Sequence, residues 1–144
     1  MFKIANLDQF NKKLEKKLKD GAAKNVKRAV FRSANVVRNT AVDSIRRGGK
    51  SGRIYELYNP RRTHQASRAG EAPAQDTGFL ANQITTEVKI EDDKIIGQII
   101  SAAPYSKHLE FGTVNMLARP FMQPALKKNK RKILAIFKKE GVVE

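Results

Sequence analysis

The chain has 144 residues, no cysteine and a formal charge of +15, from 29 lysines and arginines against 14 acids. The missing cysteine excludes disulfides, thiolate metal sites and zinc fingers. No apolar run reaches the length of about 18 residues that spans a membrane. The opening Met1–Asn6 lacks the apolar stretch of a signal peptide, so no targeting segment is expected.

The length suits a single domain, expected over residues 1–144. With 40% hydrophobic and 30% charged residues, the chain is less apolar than an average globular domain but not disordered. The positive excess is either a solvated face or the mark of a nearby polyanion, nucleic acid or an acidic protein surface.

Leu7, Phe10, Leu14 and Leu18 recur at helical spacing and predict a helix over residues 7–20. Asp20-Gly21 is a candidate interruption. The pattern resumes with Val26, Val30, Val37, Ala41 and Ile45, beside the small residues Ala29, Ser33 and Ala34, and suits a long helix on a sheet or a neighbouring subunit. Arg46-Arg47 complements the helix dipole, and Gly48-Gly49 ends it. Residues 48–78 are rich in glycine, proline, arginine and serine, with one strand-like patch at Ile54, Tyr55, Leu57 and Tyr58. Such a long aperiodic run predicts an extended arm or hairpin, flexible over about residues 50–75, that orders on assembly.

Asp76-Thr77-Gly78 reads as a turn leading to Phe79 and Leu80, in a short helix or the approach to a strand. Ile84, Thr86, Val88 and Ile90 alternate as a half-buried strand. Glu91–Lys94 turns, and Ile95–Ser101 returns as its antiparallel partner. Pro104 opens a short helix through Tyr105 and Leu109 to Glu110. After Phe111-Gly112-Thr113 comes an extended piece around Asn115–Ala118. A last helix begins at Pro120 or Pro124, with Phe121, Leu126, Ile133, Leu134 and Phe137 as its apolar side. Its run Lys127–Lys132 is basic except for Asn129.

No constellation for bond chemistry emerges. His64 and His108 are far apart and in no metal-binding spacing, and the acids of Glu91–Asp93 belong to a turn. Gly48-Gly49-Lys50-Ser51 superficially echoes a phosphate loop. It lacks the earlier glycine at position 44 and follows a helix instead of preceding one. No enzyme activity, metal or cofactor is expected.

Three segments are distinctive in succession: Thr63–Ala74 continued by Asp76-Thr77-Gly78-Phe79-Leu80, then Tyr105–Thr113, then Met116–Leu126. Together they resemble the small head–tail joining or tail-completion proteins of long-tailed phages, annotated in many members as minor tail components of the HK97 type. The resemblance spans roughly the whole chain and is strongest from residue 51 onward. It departs mildly at Phe79, where members often carry a smaller or basic residue, and at Ala69, where they often carry proline.

The resemblance implies a structural virion protein at the head–tail junction (neck, tail completion or connector), made and assembled in the bacterial host cytoplasm. Its partners would be other phage neck or tail proteins, connector and tail terminator among them. It also implies a homo-oligomeric ring, non-specific contact with packaged DNA and no membrane. A basic nucleic-acid-binding accessory protein is the alternative. The expected fold is α+β, with a long N-terminal and a C-terminal helix packed on a small antiparallel sheet, plus the arm.

The motif and interface candidates in the first segment are His64, Gln65, Ser67, Gly70, Glu71 and Pro73, followed by Asp76, Thr77 and Gly78. The second contributes Tyr105, Glu110, Phe111, Gly112 and Thr113, and the third Arg119, Pro120, Phe121 and Pro124. Asp76 and Thr77 suit capping of the next element. Phe111 is expected in the core, with Gly112 permitting a sharp turn. Arg119 is expected to pair with Glu110 or with a neighbouring subunit.

Overall fold

A helix of 41 residues, α1 (Leu7–Arg47), is the spine of the fold. The computed structural model describes residues 7–92 and 94–144, with side chains at Lys16 and from residue 19 onward. The stripe Leu7, Phe10, Leu14 and Leu18 lies outside the described side chains, as does Asp93. Helix α1 runs through Asp20-Gly21 without the expected break. One glycine costs about 1 kcal/mol in a helix interior, too little to end a helix that continues well on both sides. The buried stripe is Ala29, Ser33, Ala34, Val37, Ala41, Val42 and Ile45. Its small residues let two layers approach closely.

The first layer is a hairpin of β3 (Ile84–Glu91) and β4 (Lys94–Ser101), in register from Ile84 opposite Ser101 to Glu91 opposite Lys94. Thr86 stands opposite Ile99 and Val88 opposite Gly97; opposed residues and alternate residues of a strand share a face, so Thr86 and Gly97 both lie on the face towards α1. Thr86 Oγ1 donates to Asn35 Oδ1 at 2.9 Å. A Cβ on Gly97 would lie 2.7 Å from Val30 Cγ1, so glycine sets how near the helix can lie. The second layer is α4 (Met122–Lys139), antiparallel to α1: Asn129 reaches Thr40 at one end, while Arg28 and Arg32 meet Glu140 at the other. Short helix α2 (Phe79–Asn82) contributes Leu80 and Ala81, and Phe121 and Ala125 close the core on Val37, Ala41, Ile45, Ile84 and Ala103.

The remaining strands, β1 (Ile54–Tyr58) and β2 (Arg61–Gln65), form a separate hairpin across Asn59-Pro60. Its base is tied where Gly52 N–H donates to Ala66 O and Ala66 N–H to Arg53 O, each 2.9 Å. The sequence Arg-Arg-Thr-His-Gln contains no apolar residue, so β2 leaves no periodic signal. The fold is the expected α+β arrangement, with its strands in two hairpins instead of one sheet.

The apolar side of α4 needs correction. Leu126 and Leu134 are about half exposed, at 49% and 51%. The buried face runs at four-residue spacing through Phe121, Ala125 and Asn129 towards Ile133, and both leucines sit one position off it. Asn129, the one uncharged residue of the basic run, is the one that turns inward. Its Nδ2 donates to Thr40 Oγ1 and to Ala125 O, both at 2.8 Å. Replacing Asn129 with alanine should lower stability by about 1–2 kcal/mol in chemical denaturation. Alanine at Lys128 or Lys130, both exposed, should change it by less than about 0.5 kcal/mol.

Candidate interaction site

The three motif segments, far apart in sequence, meet at the end of the molecule where α1 stops and α4 starts. Glu110 lies near the end of α3 (Ser106–Phe111). Its carboxylate accepts three backbone N–H groups of the first turn of α4: Phe121 at 2.8 Å, Met122 at 3.0 Å and Gln123 at 2.8 Å. Helix starts leave such donors unsatisfied and carry partial positive charge, which an anion relieves. Phe121 at the N-cap makes no side-chain cap bond, so the cap arrives from the preceding helix.

This arrangement sets aside the Arg119–Glu110 pairing, one of the two partners expected for that arginine, and the expected burial of Phe111. Glu110 is used on backbone N–H groups, and Arg119 turns away from it, its Nη1 donating to Ser67 Oγ at 3.3 Å. Phe111 is not in the core but 67% exposed, because Gly112 turns the chain immediately after it. Gly112 has φ +77°, and a Cβ there would lie 2.8 Å from Met116 O and 2.9 Å from Ala118 N. The loop is pinned at every step. Gly112 N–H donates to His108 O at 2.8 Å, Thr113 and Met116 bond each other, and Arg119 N–H donates to Leu109 O at 2.6 Å. Gly70 N–H donates to Ala118 O at 2.9 Å, which joins the first segment to the third.

Glu71 fastens the base of the β1–β2 hairpin. It accepts the Ser51 hydroxyl, the Ser51 N–H at 3.1 Å and the Arg68 N–H at 2.8 Å. The Ser51 hydroxyl bond, followed by those two N–H bonds, pulls its pKa down from 4.5 to about 2. Lys50 donates to Ser44 O at 3.0 Å and Ala72 O at 2.8 Å, so it ties a carbonyl near the end of α1 to the segment after β2. Burial lowers its pKa, against the opposing pull of Glu71. The lysine of the apparent phosphate loop is thus a helix-end clamp.

Asp76 does not cap the next helix. It pairs with Arg62 of β2 at 2.7 Å, while Thr77 Oγ1 accepts a long 3.4 Å bond from Phe79 N–H. Gly78 stands at the start of α2 with φ +83°. A pocket of about 220 Å³ is lined by His64, Ser67, Pro73, Asp76, Thr77, Gly78, Tyr105 and Arg119, all from the motif segments. Phe79 and Tyr105 stack at its edge, centroids 6.3 Å apart. Gly70, Pro120, Phe121 and Pro124 instead line the cleft between α1 and α4, and Gln65 Nε2 bonds Gly52 O at 3.3 Å. Sequence reasoning missed Lys50, Ser51 and Asn129, whose roles depend on partners 6 to 89 residues away.

Residues 8–112 match the model of the HK97-gp10-like family, described as "Bacteriophage HK97-gp10, putative tail-component". The chain belongs to this family of bacteriophage tail components. The match covers α1 to the end of α3 and includes Glu110 and Gly112, but stops before α4. No curated protein and no solved structure matches the chain.

Two outcomes are expected. Glu110→Ala should cost about 1–3 kcal/mol in denaturant unfolding, with Glu110→Gln, a neutral acceptor, in between. A depressed carboxyl pKa stabilises above its unfolded value and loses that effect as pH falls through the folded one. The hairpin base should therefore hold undiminished above pH 4.5 and release between there and about 2. The Glu71 carboxyl ¹³C shift should titrate near 2, and titration near 4.5 would contradict the clamp.

Proposed function

We propose that the chain is a structural, non-enzymatic virion protein at the phage head–tail junction. It would join connector-side and tail-terminator-side proteins as one subunit among identical copies. The carrying observation is how the motif residues use their polar groups. Glu110 and Glu71, joined by Lys50 from outside the motifs, all bind backbone atoms that fix where helices and loops lie. Such groups orient surfaces and touch no reacting atom. Among the described residues no His, Asp and Glu side chains gather into a metal-binding group, and no helix is long and apolar enough to cross a membrane.

The basic face of α4 favours an additional contact with packaged DNA. Lys127, Lys128, Lys130, Arg131 and Lys132 are all exposed, and such a face attracts phosphates without reading sequence. The alternative reading, a nucleic-acid-binding accessory protein, rests on the same face.

Position in the particle decides between them. Deleting the gene should leave filled heads and separate tails, and a labelled chain in complemented particles should sit at the neck in electron micrographs. Label along the tail tube or at its distal tip, or normal particles without the protein, would contradict the junction role.

A further inference from the structure

Among the charged motif candidates, the fold leaves Arg119 least satisfied. Asp76 has Arg62, and Glu71 and Glu110 have backbone N–H groups. The Arg119 guanidinium makes one bond among the described residues, from Nη1 to Ser67 Oγ, long at 3.3 Å and to a neutral acceptor. None of the ion pairs among the described residues includes it. Its Nε is buried and has no hydrogen-bond partner among them. The edge made by Nε and Nη2 is thus unused, and on such an edge a guanidinium takes a carboxylate with two parallel bonds. A buried N–H without an acceptor costs free energy until one reaches it.

The pocket that Arg119 lines is small. Its volume of about 220 Å³ lies below the roughly 300 Å³ of the smallest drug-sized ligand sites, so it suits a single side chain. One acid lines it, Asp76, and Arg62 holds that acid at 2.7 Å. The Arg119 charge is therefore not cancelled inside the pocket. Ile45, Leu80, Ala81 and Leu109 supply an apolar wall. Ser67, only 3% exposed, accepts the Arg119 bond and keeps its own proton to donate.

We infer that this pocket takes the carboxylate of a glutamate or aspartate side chain from a partner protein, with the acid on the Nε–Nη2 edge of Arg119 and its methylene stem on the apolar wall. The long bond to Ser67 is weak enough to yield, so the guanidinium can turn its unused edge to the entering oxygens. Charge favours this occupant. At +15 the chain attracts acidic surfaces, and one guanidinium answers one negative charge. A nucleic-acid phosphate brings no apolar stem for these walls, and it meets more cations on the exposed Lys127–Lys132 run. That the acid belongs to a partner protein rests on the proposed joining role. Recognition of a carboxylate by the pocket does not.

The test is an NMR titration of the ¹⁵N-labelled full chain with N-acetylglutamic acid α-amide, whose only charge is a side-chain carboxylate. The Arg119 Nε–Hε and Ser67 N–H signals should shift and saturate, with a Kd of about 1–10 mM. The glutamine analogue, neutral at the same position, should bind at least about tenfold more weakly. Arg119→Gln, read at Ser67 N–H, should weaken binding by at least about tenfold, and Arg119→Lys by less, since lysine keeps the charge but not the fork. Gln75→Glu places a competing acid at an exposed position of the pocket, and should weaken binding while keeping the wild-type Tm. Lys94→Gln, on the β3–β4 turn, removes a charge elsewhere and should change nothing. No saturable shift up to about 100 mM, or equal binding by the glutamine analogue or by Arg119→Gln, would overturn the inference. So would tighter binding at Arg119 of dimethyl phosphate or of N-acetylalanine, which would give the pocket to a nucleic-acid backbone or to a chain terminus. Any of these failures leaves the junction role to the particle labelling, which does not depend on this pocket.

Discussion

The carboxylate of Glu110 on the first turn of α4 is the interaction on which the meeting point of α1, α3 and α4 depends. It offsets the exposed N–H groups of an 18-residue helix and fixes that helix against α3. Between the two helices lies a loop of ten residues, 112–121, whose ends are therefore held in place. Only with those ends fixed can Gly112 make its turn and Arg119 reach back to Ser67. Phe121, the first residue the carboxylate touches, is also the largest fully buried side chain among the described residues. Cap and core anchor are adjacent, so the polar tie and the apolar packing fix the same point.

Around this point the other charges divide into two kinds. Glu71, Lys50 and Glu140 are spent inside the fold, on backbone groups or on Arg28 and Arg32. The lysines and arginines of the 127–132 run are left in water. The acids that hold this chain together are drawn from a small supply, and most of its cations remain outside.

Much of the architecture was legible from pattern. Strand β3 shows period-two alternation from Ile84 to Val88, and the C-terminal half of α1 shows a small-residue stripe, because one face of each is buried and the other is not. Strand β2 was not legible: it buries no apolar face, and its pairing comes from the backbone. The continuity of α1 through Gly21 was hidden because a local glycine penalty says nothing about helix on either side. Phe111 misled for a related reason. An aromatic residue before a helix-ending glycine suggests an anchor, but a side chain left outside looks the same in sequence. The motif segments named candidate residues without giving their partners. Glu110 and Arg119 seemed suited to each other by charge, whereas the helix N-terminus proved the better partner for the acid.

The account is tested most directly by amide hydrogen exchange on the free chain, read residue by residue. If the Glu110 cap holds α3, the loop and α4 as one unit, the N–H groups of Phe121, Met122 and Gln123 should exchange slowly, together with those of Gly112 and Met116. All five should open with similar protection, and all should lose it in a Glu110→Ala chain that is otherwise folded. Rapid exchange at Phe121–Gln123 in the wild-type chain, or loop protection that survives loss of the carboxylate, would contradict the claim that this one contact organises the site.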